Sequence, residues 1–147
     1  MRFTSVLVAL SLLVSSVWSA PAVSTATTAD VRYDQVYDGA SNSLAIVACS
    51  DGSNGLLTKG YTTFGSLKNF PNIGSAQAIA GWNSANCGTC WKLTYQGKSV
   101  NVLAIDHAGD GFVLSLEAMN TLTNGHAEEY GIVTATVTQL SPSSCGL

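Results

Sequence analysis

Within the stretch 132–139, apolar and hydroxyl side chains alternate without a break from Val133 to Thr138. Val133, Ala135 and Val137 fall on one face, and Thr134, Thr136 and Thr138 on the other. A period of two predicts a strand with one buried and one wetted face. Residues 91–95 and 99–105 are predicted strands as well, and Gln96-Gly97 between them supplies a hairpin turn. Residues 31–38 read as extended up to an Asp38-Gly39 turn. Residues 44–49 are a continuous apolar run, short enough for a buried strand, and 76–80 is a further predicted strand. The stretch 69–73 around Pro71 reads as loop. A helical period shows once, over 115–123, where Leu116, Met119 and Leu122 share a face. Ser115 is its predicted N-cap, Glu117 suits the positive end of the dipole, and Asn124-Gly125 stops it. Asp51-Gly52 and Asn54-Gly55 supply the positive φ that tight turns need. Six or so strands, one or two short helices and many glycine turns predict a mainly β fold closing into a small barrel.

The chain opens with Met1-Arg2, an apolar run to Trp18 and small residues at 19–22. That is the layout of a secretory signal peptide. Ala20-Pro21-Ala22 and Val17-Trp18-Ser19 are rival cleavage sites, placing the cut between about 19 and 22. A membrane anchor takes about 20 apolar residues, so none is expected. The resulting division is a leader at 1–19, a flexible Ala/Thr/Ser-rich tail at 20–29 and one domain at 30–147, enough for a single core.

Charge narrows the partners. The net charge is -3, only 10% of residues are charged, and the basic residues beyond the leader (Arg32, Lys59, Lys68, Lys92, Lys98) are scattered. No basic stripe forms, which argues against nucleic acid. Solubility must come from Ser, Thr, Asn and Gly, a surface suited to neutral sugars or to an air–water or wall interface. Cys49, Cys87, Cys90 and Cys145 are an even set in an oxidising compartment, so two disulfides are expected, with three pairings open. Cys87-Gly-Thr-Cys90 lacks the βαβ context of a redox motif, and neither His107 nor His126 has zinc-finger spacing to the cysteines. No metal and no cofactor is expected.

Six motifs then resemble the cerato-platanin family of small secreted fungal proteins. They are Val31-Arg-Tyr-Asp-Gln-Val-Tyr-Asp38, Ala48-Cys-Ser-Asp-Gly-Ser-Asn-Gly-Leu56, residues 81–93, Leu103-Ala-Ile-Asp-His-Ala108, Glu117-Ala-Met-Asn-Thr-Leu-Thr123 and Ser144-Cys-Gly-Leu147. They run in order through nearly the whole domain. The resemblance implies a six-stranded double-ψ β-barrel like the first domain of expansins, with bridges Cys49–Cys87 and Cys90–Cys145. It also implies a non-hydrolytic protein that binds chitin-type N-acetylglucosamine oligomers, loosens cellulose or β-glucan material, stays monomeric in dilute solution and self-assembles at interfaces. Family members elicit plant defence or act as allergens, so a host receptor is a further expected partner.

Candidate chemistry centres on Asp106, at the end of the apolar strand 99–105, where its carboxylate should emerge at a barrel rim. The resemblance matches it to the acidic residue that expansins need for wall loosening. The competing structural role is a turn cap, or a partner to His107 or Lys92. A glycosidase would need a second carboxylate about 5–9.5 Å away, and Asp110, Asp51 and Asp34 are the abstract partners. No Gly-x-Ser-x-Gly elbow or phosphate-binding loop accompanies them. Sugar binding calls for aromatic faces and short polar groups: Tyr33, Tyr61, Trp82 and Trp91 offer faces, and Asp34, Asp51, Asn54, Asn83 and Asn86 offer polar atoms. Trp82 and Trp91 flank the cysteines and are expected in the core. The expected binding set is therefore Asp106, Asp51, Asn54, Tyr33, Asp34 and Asn83. Two rivals stand beside it: a surface-active, host-recognised elicitor or allergen for which sugar is incidental, and a weak glycosidase.

Overall fold

The computed structural model describes residues 14–16 and 26–147. The predicted leader lies almost wholly outside the described residues. Six strands form a closed barrel: β1 (Thr27–Tyr33), β2 (Ile73–Ala76), β3 (Cys90–Tyr95), β4 (Lys98–His107), β5 (Phe112–Leu114) and β6 (Ile132–Leu140). Around the barrel their order is β1-β5-β2-β4-β3-β6. β1 closes on β6 in antiparallel register, Val31 facing Val133. The β1–β5 and β2–β4 pairs are parallel. Parallel neighbours need crossover connections, which is why long loops and helix α1 (Leu116–Thr123) pass over the barrel. A second helix, α2 (Ala127–Tyr130), follows α1.

β6 shows the alternation that its sequence predicts, with Val133, Ala135 and Val137 buried. β4 does not alternate, because Val102, Leu103, Ala104 and Ile105 are all buried. One face of it lines the barrel and the other lies under α1 and the C-terminal turn at Pro142–Cys145. Val31, Leu93, Leu103, Ile105, Leu114, Met119 and Leu122 are fully buried and form one core. Both disulfides implied by the resemblance are present, Cys49–Cys87 and Cys90–Cys145. The first joins two loops to each other, and the second ties the start of β3 to the C-terminal turn.

Four elements differ from their sequence reading. β1 begins at Thr27, so Thr27–Ala29 pair with Val137–Ala135 and are strand, not tail. The run 44–49 is no strand: the Ser43 hydroxyl accepts from the Ala45 N–H and starts a 3-10 turn at Leu44–Ile46. Leu44, Val47 and Cys49 turn inward and are buried, while Ala45 and Ile46 face water. β2 occupies Ile73–Ala76, in and beyond the stretch read as loop, and ends where 76–80 was expected to begin a strand. A Cβ at Gly74 would strike the Val113 carbonyl, so only glycine lets β2 approach β5. Residues 35–38 leave the extended state for a 3-10 turn, capped by Asp34.

Candidate functional site

β4 carries Asp106 out of the buried run at its end, opposite Ser75 of β2, just past a register shift between Gly74 and Ser75. The half-buried carboxylate collects three donors. Its Oδ1 accepts from the Ala48 N–H and the His107 N–H, each at 2.9 Å, and its Oδ2 accepts from the Tyr37 hydroxyl at 3.0 Å. The expected pairing with the His107 ring or Lys92 does not occur. The His107 Nδ1 meets the Ile79 carbonyl instead, and Lys92 lies mid-strand between Asn101 and Thr138. Burial raises the Tyr37 phenol far above its ordinary value; the Ser75 hydroxyl opposes the rise and the negative Asp106 adds to it. The phenol is therefore a standing donor to the carboxylate.

A pair of loops continues the surface. The Cys49 N–H donates to the Ile105 carbonyl, so the chain from Ala48 to Asp51 starts beside Asp106. Three residues span at most about 11 Å. Asp51 and Trp82 meet across the pair, the indole Nε1 donating to Asp51 Oδ1 at 2.6 Å. That hydrogen bond holds the Asp51 carboxyl below its ordinary range. Asn54 and Asn83 lock the same loops twice: the Asn54 N–H donates to Asn83 Oδ1 at 2.8 Å, and Asn54 Nδ2 donates to the Asn83 carbonyl at 3.0 Å. Asn83 sits at φ 56, a left-handed position that asparagine tolerates in turns. The Cys49–Cys87 bridge closes the base of both loops.

Of the expected set, Asp106, Asp51, Asn54 and Asn83 thus lie along one connected surface. Tyr33 and Asp34 serve differently. Tyr33 is half-buried at the end of β1, paired with Leu114, and packs against the core. Asp34 caps the 3-10 turn that presents Tyr37, accepting from the Val36 N–H at 2.9 Å. Asp38, read only as a turn residue, caps α1 through the Leu116 and Glu117 N–H groups at 2.8 and 3.0 Å. Asp110 is exposed in the bend before β5.

Trp91 is partly buried as expected, its Nε1 donating to Thr89 Oγ1 and its ring edge-on to Phe112. Trp82 is not: the expectation that it belongs to the core fails, for 64% of it is exposed. A tryptophan beside a disulfide reads as core from sequence. The pattern that places it outside is the tight turn Gly81–Ser84, with the Ser84 N–H bonded to the Gly81 carbonyl. A separate cleft of about 450 Å³, lined by Lys59, Tyr61, Gly88, Thr89, Pro142 and Leu147 among others, contains neither Asp106 nor Asp51. The Asp106 surface, where a carboxylate with three fixed donors meets the two locked loops, remains the candidate site. Among the described residues no cluster of metal-ligating side chains occurs, and no helix is long and apolar enough to cross a membrane.

Comparison with known proteins decides the family. A family model described as Cerato-platanin matches residues 29–147. The chain belongs to the cerato-platanin family. It is 48% identical over 122 residues to the Heat-stable 19 kDa antigen of Coccidioides posadasii, covering 83% of this chain and 84% of that one. Allergen Asp f 15 of Aspergillus fumigatus is 46% identical over 149 aligned residues, covering 99% of this chain and 97% of that one. The crystal structure of cerato-platanin 2 from M. perniciosa matches with a TM-score of 0.79 at 44% identity, covering 82% of this chain and all of that one. The cerato-platanin barrel is thus the scaffold on which Asp106 and the two loops are mounted.

Proposed function

We propose that this cerato-platanin is a secreted, non-hydrolytic polysaccharide-binding protein. It takes a chitin-type N-acetylglucosamine chain along the surface from Asp106 to the 49–55 loop, with cellulose or β-glucan as further targets. The observation that carries this reading is the Asp106 carboxylate, held by three fixed donors and continued by a knitted polar loop pair. Asp106 offers sugar hydroxyls an acceptor whose position is fixed by Tyr37, Ala48 and His107. Glycoside hydrolysis needs a second carboxylate working across the bond. Asp34 caps a turn, Asp51 is occupied by an indole and Asp110 is exposed in the bend before β5, so a reducing-end assay is the check on all three. Loosening would then come from exchanging inter-chain hydrogen bonds for protein ones, with no covalent step. The test is retention on chitin and loosening of wall material by Asp106→Asn, which removes the charge but keeps the shape. Loss of both supports the reading, and full retention of both refutes it.

A second reading is recognition by a host, with sugar incidental. The names of two relatives, an antigen and an allergen, favour it. Surface-tension lowering in dilute solution without retention on chitin would select this alternative. On either reading the protein acts outside the producing cell, as a monomer until it meets an interface.

A further inference from the structure

A solvent-facing tryptophan is usually loosely held, yet Trp82 is restrained on several sides. Its Nε1 is fixed at 2.6 Å from Asp51 Oδ1. Its backbone neighbour Asn83 is held twice by Asn54. Gly52, at φ 84, sits against the ring: a Cβ there would lie 3.1 Å from the indole Cζ2 and 2.7 Å from Asn83 Oδ1. The Cys49–Cys87 bridge closes the frame. This scaffolding leaves 64% of the residue in water, so the ring's position is not explained by its own burial. A rigid, exposed aromatic face loses little conformational freedom on contact and offers apolar area with its polar handle already satisfied. The sugar that matches such a face is a β-1,4-linked pyranose, whose equatorial substituents leave a flat apolar face of C–H groups.

Building on the polysaccharide reading above, we infer that the Trp82 indole, pinned by Asp51 and backed by Gly52, is the stacking platform for one pyranose ring of a β-1,4-linked chain. Asp51 is then a positioning residue: it aims the ring and need not touch the sugar. Asp106 and Trp82 bind different units of one oligomer, the carboxylate taking hydroxyls and the indole taking a ring face.

The experiment follows the tryptophan indole N–H signals and the backbone amides by NMR while N-acetylglucosamine or cellulose oligomers are added, the two series separating the sources of the same chemistry. The Trp82 indole signal is assigned by its loss in Trp82→Phe. It is expected to move with the same midpoint as the amides around Asp106. Trp82→Ala is expected to weaken binding about tenfold or more, with Trp82→Phe retaining most of it and Asp51→Ala falling between. Unchanged melting of Trp82→Ala would separate lost contact from lost fold. If the Asp106 amides shift while the indole signal stays fixed and Trp82→Ala binds like the wild type, the platform is wrong and the polysaccharide reading survives. If neither oligomer shifts any signal, both fall.

Discussion

Asp106 is a residue whose surroundings explain both its charge and its exposure. β4 brings it to the rim, and the buried Tyr37 gives it a donor that cannot easily ionise. The rise in the Tyr37 phenol has a consequence for stability. Below pH about 10 the phenol is protonated whether the chain is folded or not, so its contribution is complete. As pH rises through that value, the unfolded chain loses the proton while the folded one keeps it, and stability falls. Tyr37→Phe is expected to cost about 1–2 kcal/mol near neutral pH, because Asp106 loses one donor. It should also flatten the decline in melting temperature above pH 10; equal alkaline slopes in both proteins would show that Tyr37 is not the group responsible. At the same scale, the sequence made Asp106 legible because a carboxylate closing an apolar strand has to surface. It offered Trp82 as an aromatic face but not its outward position, since nothing local says that Gly52 and Asp51 form a seat for an exposed ring.

Elements with several turns of their own period could be read from sequence, and short ones could not. β6 alternates over its length, and α1 has its cap, face and stop signal in sequence. β5 has three residues and β2 four, too few to show a period, and α2 is a single turn. The apolar run 44–49 misled because an unbroken apolar run fixes neither extension nor full burial; Ser43 starts a 3-10 turn there that sends Leu44 inward and Ile46 into water. The start of α1 exposes a tertiary link that sequence patterns miss. Two of its orphan N–H groups are satisfied by Asp38, 78 and 79 residues away, beside the local cap from Ser115. Asp38→Ala is expected to lower unfolding stability by about 1–2 kcal/mol, measured by chemical denaturation, with sugar binding unaffected. A smaller change would mean that Ser115 alone suffices.

Over the whole molecule, two bridges close loops with sequence separations of 38 and 55, one between two loops and one between β3 and the C-terminal turn. Each is worth about 4 kcal/mol in the chain-entropy model. Reductant is expected to lower the melting temperature sharply, and an unchanged midpoint would contradict a structural role. Cys49→Ala with Cys87→Ala should do more than lower stability. By freeing the base of both loops, it should speed solvent exchange of the Trp82 indole N–H relative to that of Trp91. The barrel class and the number of bridges could be inferred from alternation, glycine turns and an even cysteine count; the pairing came from family resemblance. The crossing loops that bring residues 37, 48, 51, 82 and 106 onto one surface are set by tertiary packing, so only the folded chain displays them together.

On the proposed function, one continuous surface running from Asp106 to the 49–55 loop binds a polysaccharide chain without cleaving it. The most direct measurement is an NMR titration of wild type and Asp106→Asn with N-acetylglucosamine oligomers, with reducing ends assayed in the same samples. Saturable shifts clustered at Asp106, Ala48 and the 49–55 loop are expected, weakened in Asp106→Asn, with no new reducing ends. Equal binding by the variant, shifts confined to another face, or release of reducing ends would contradict the proposed function.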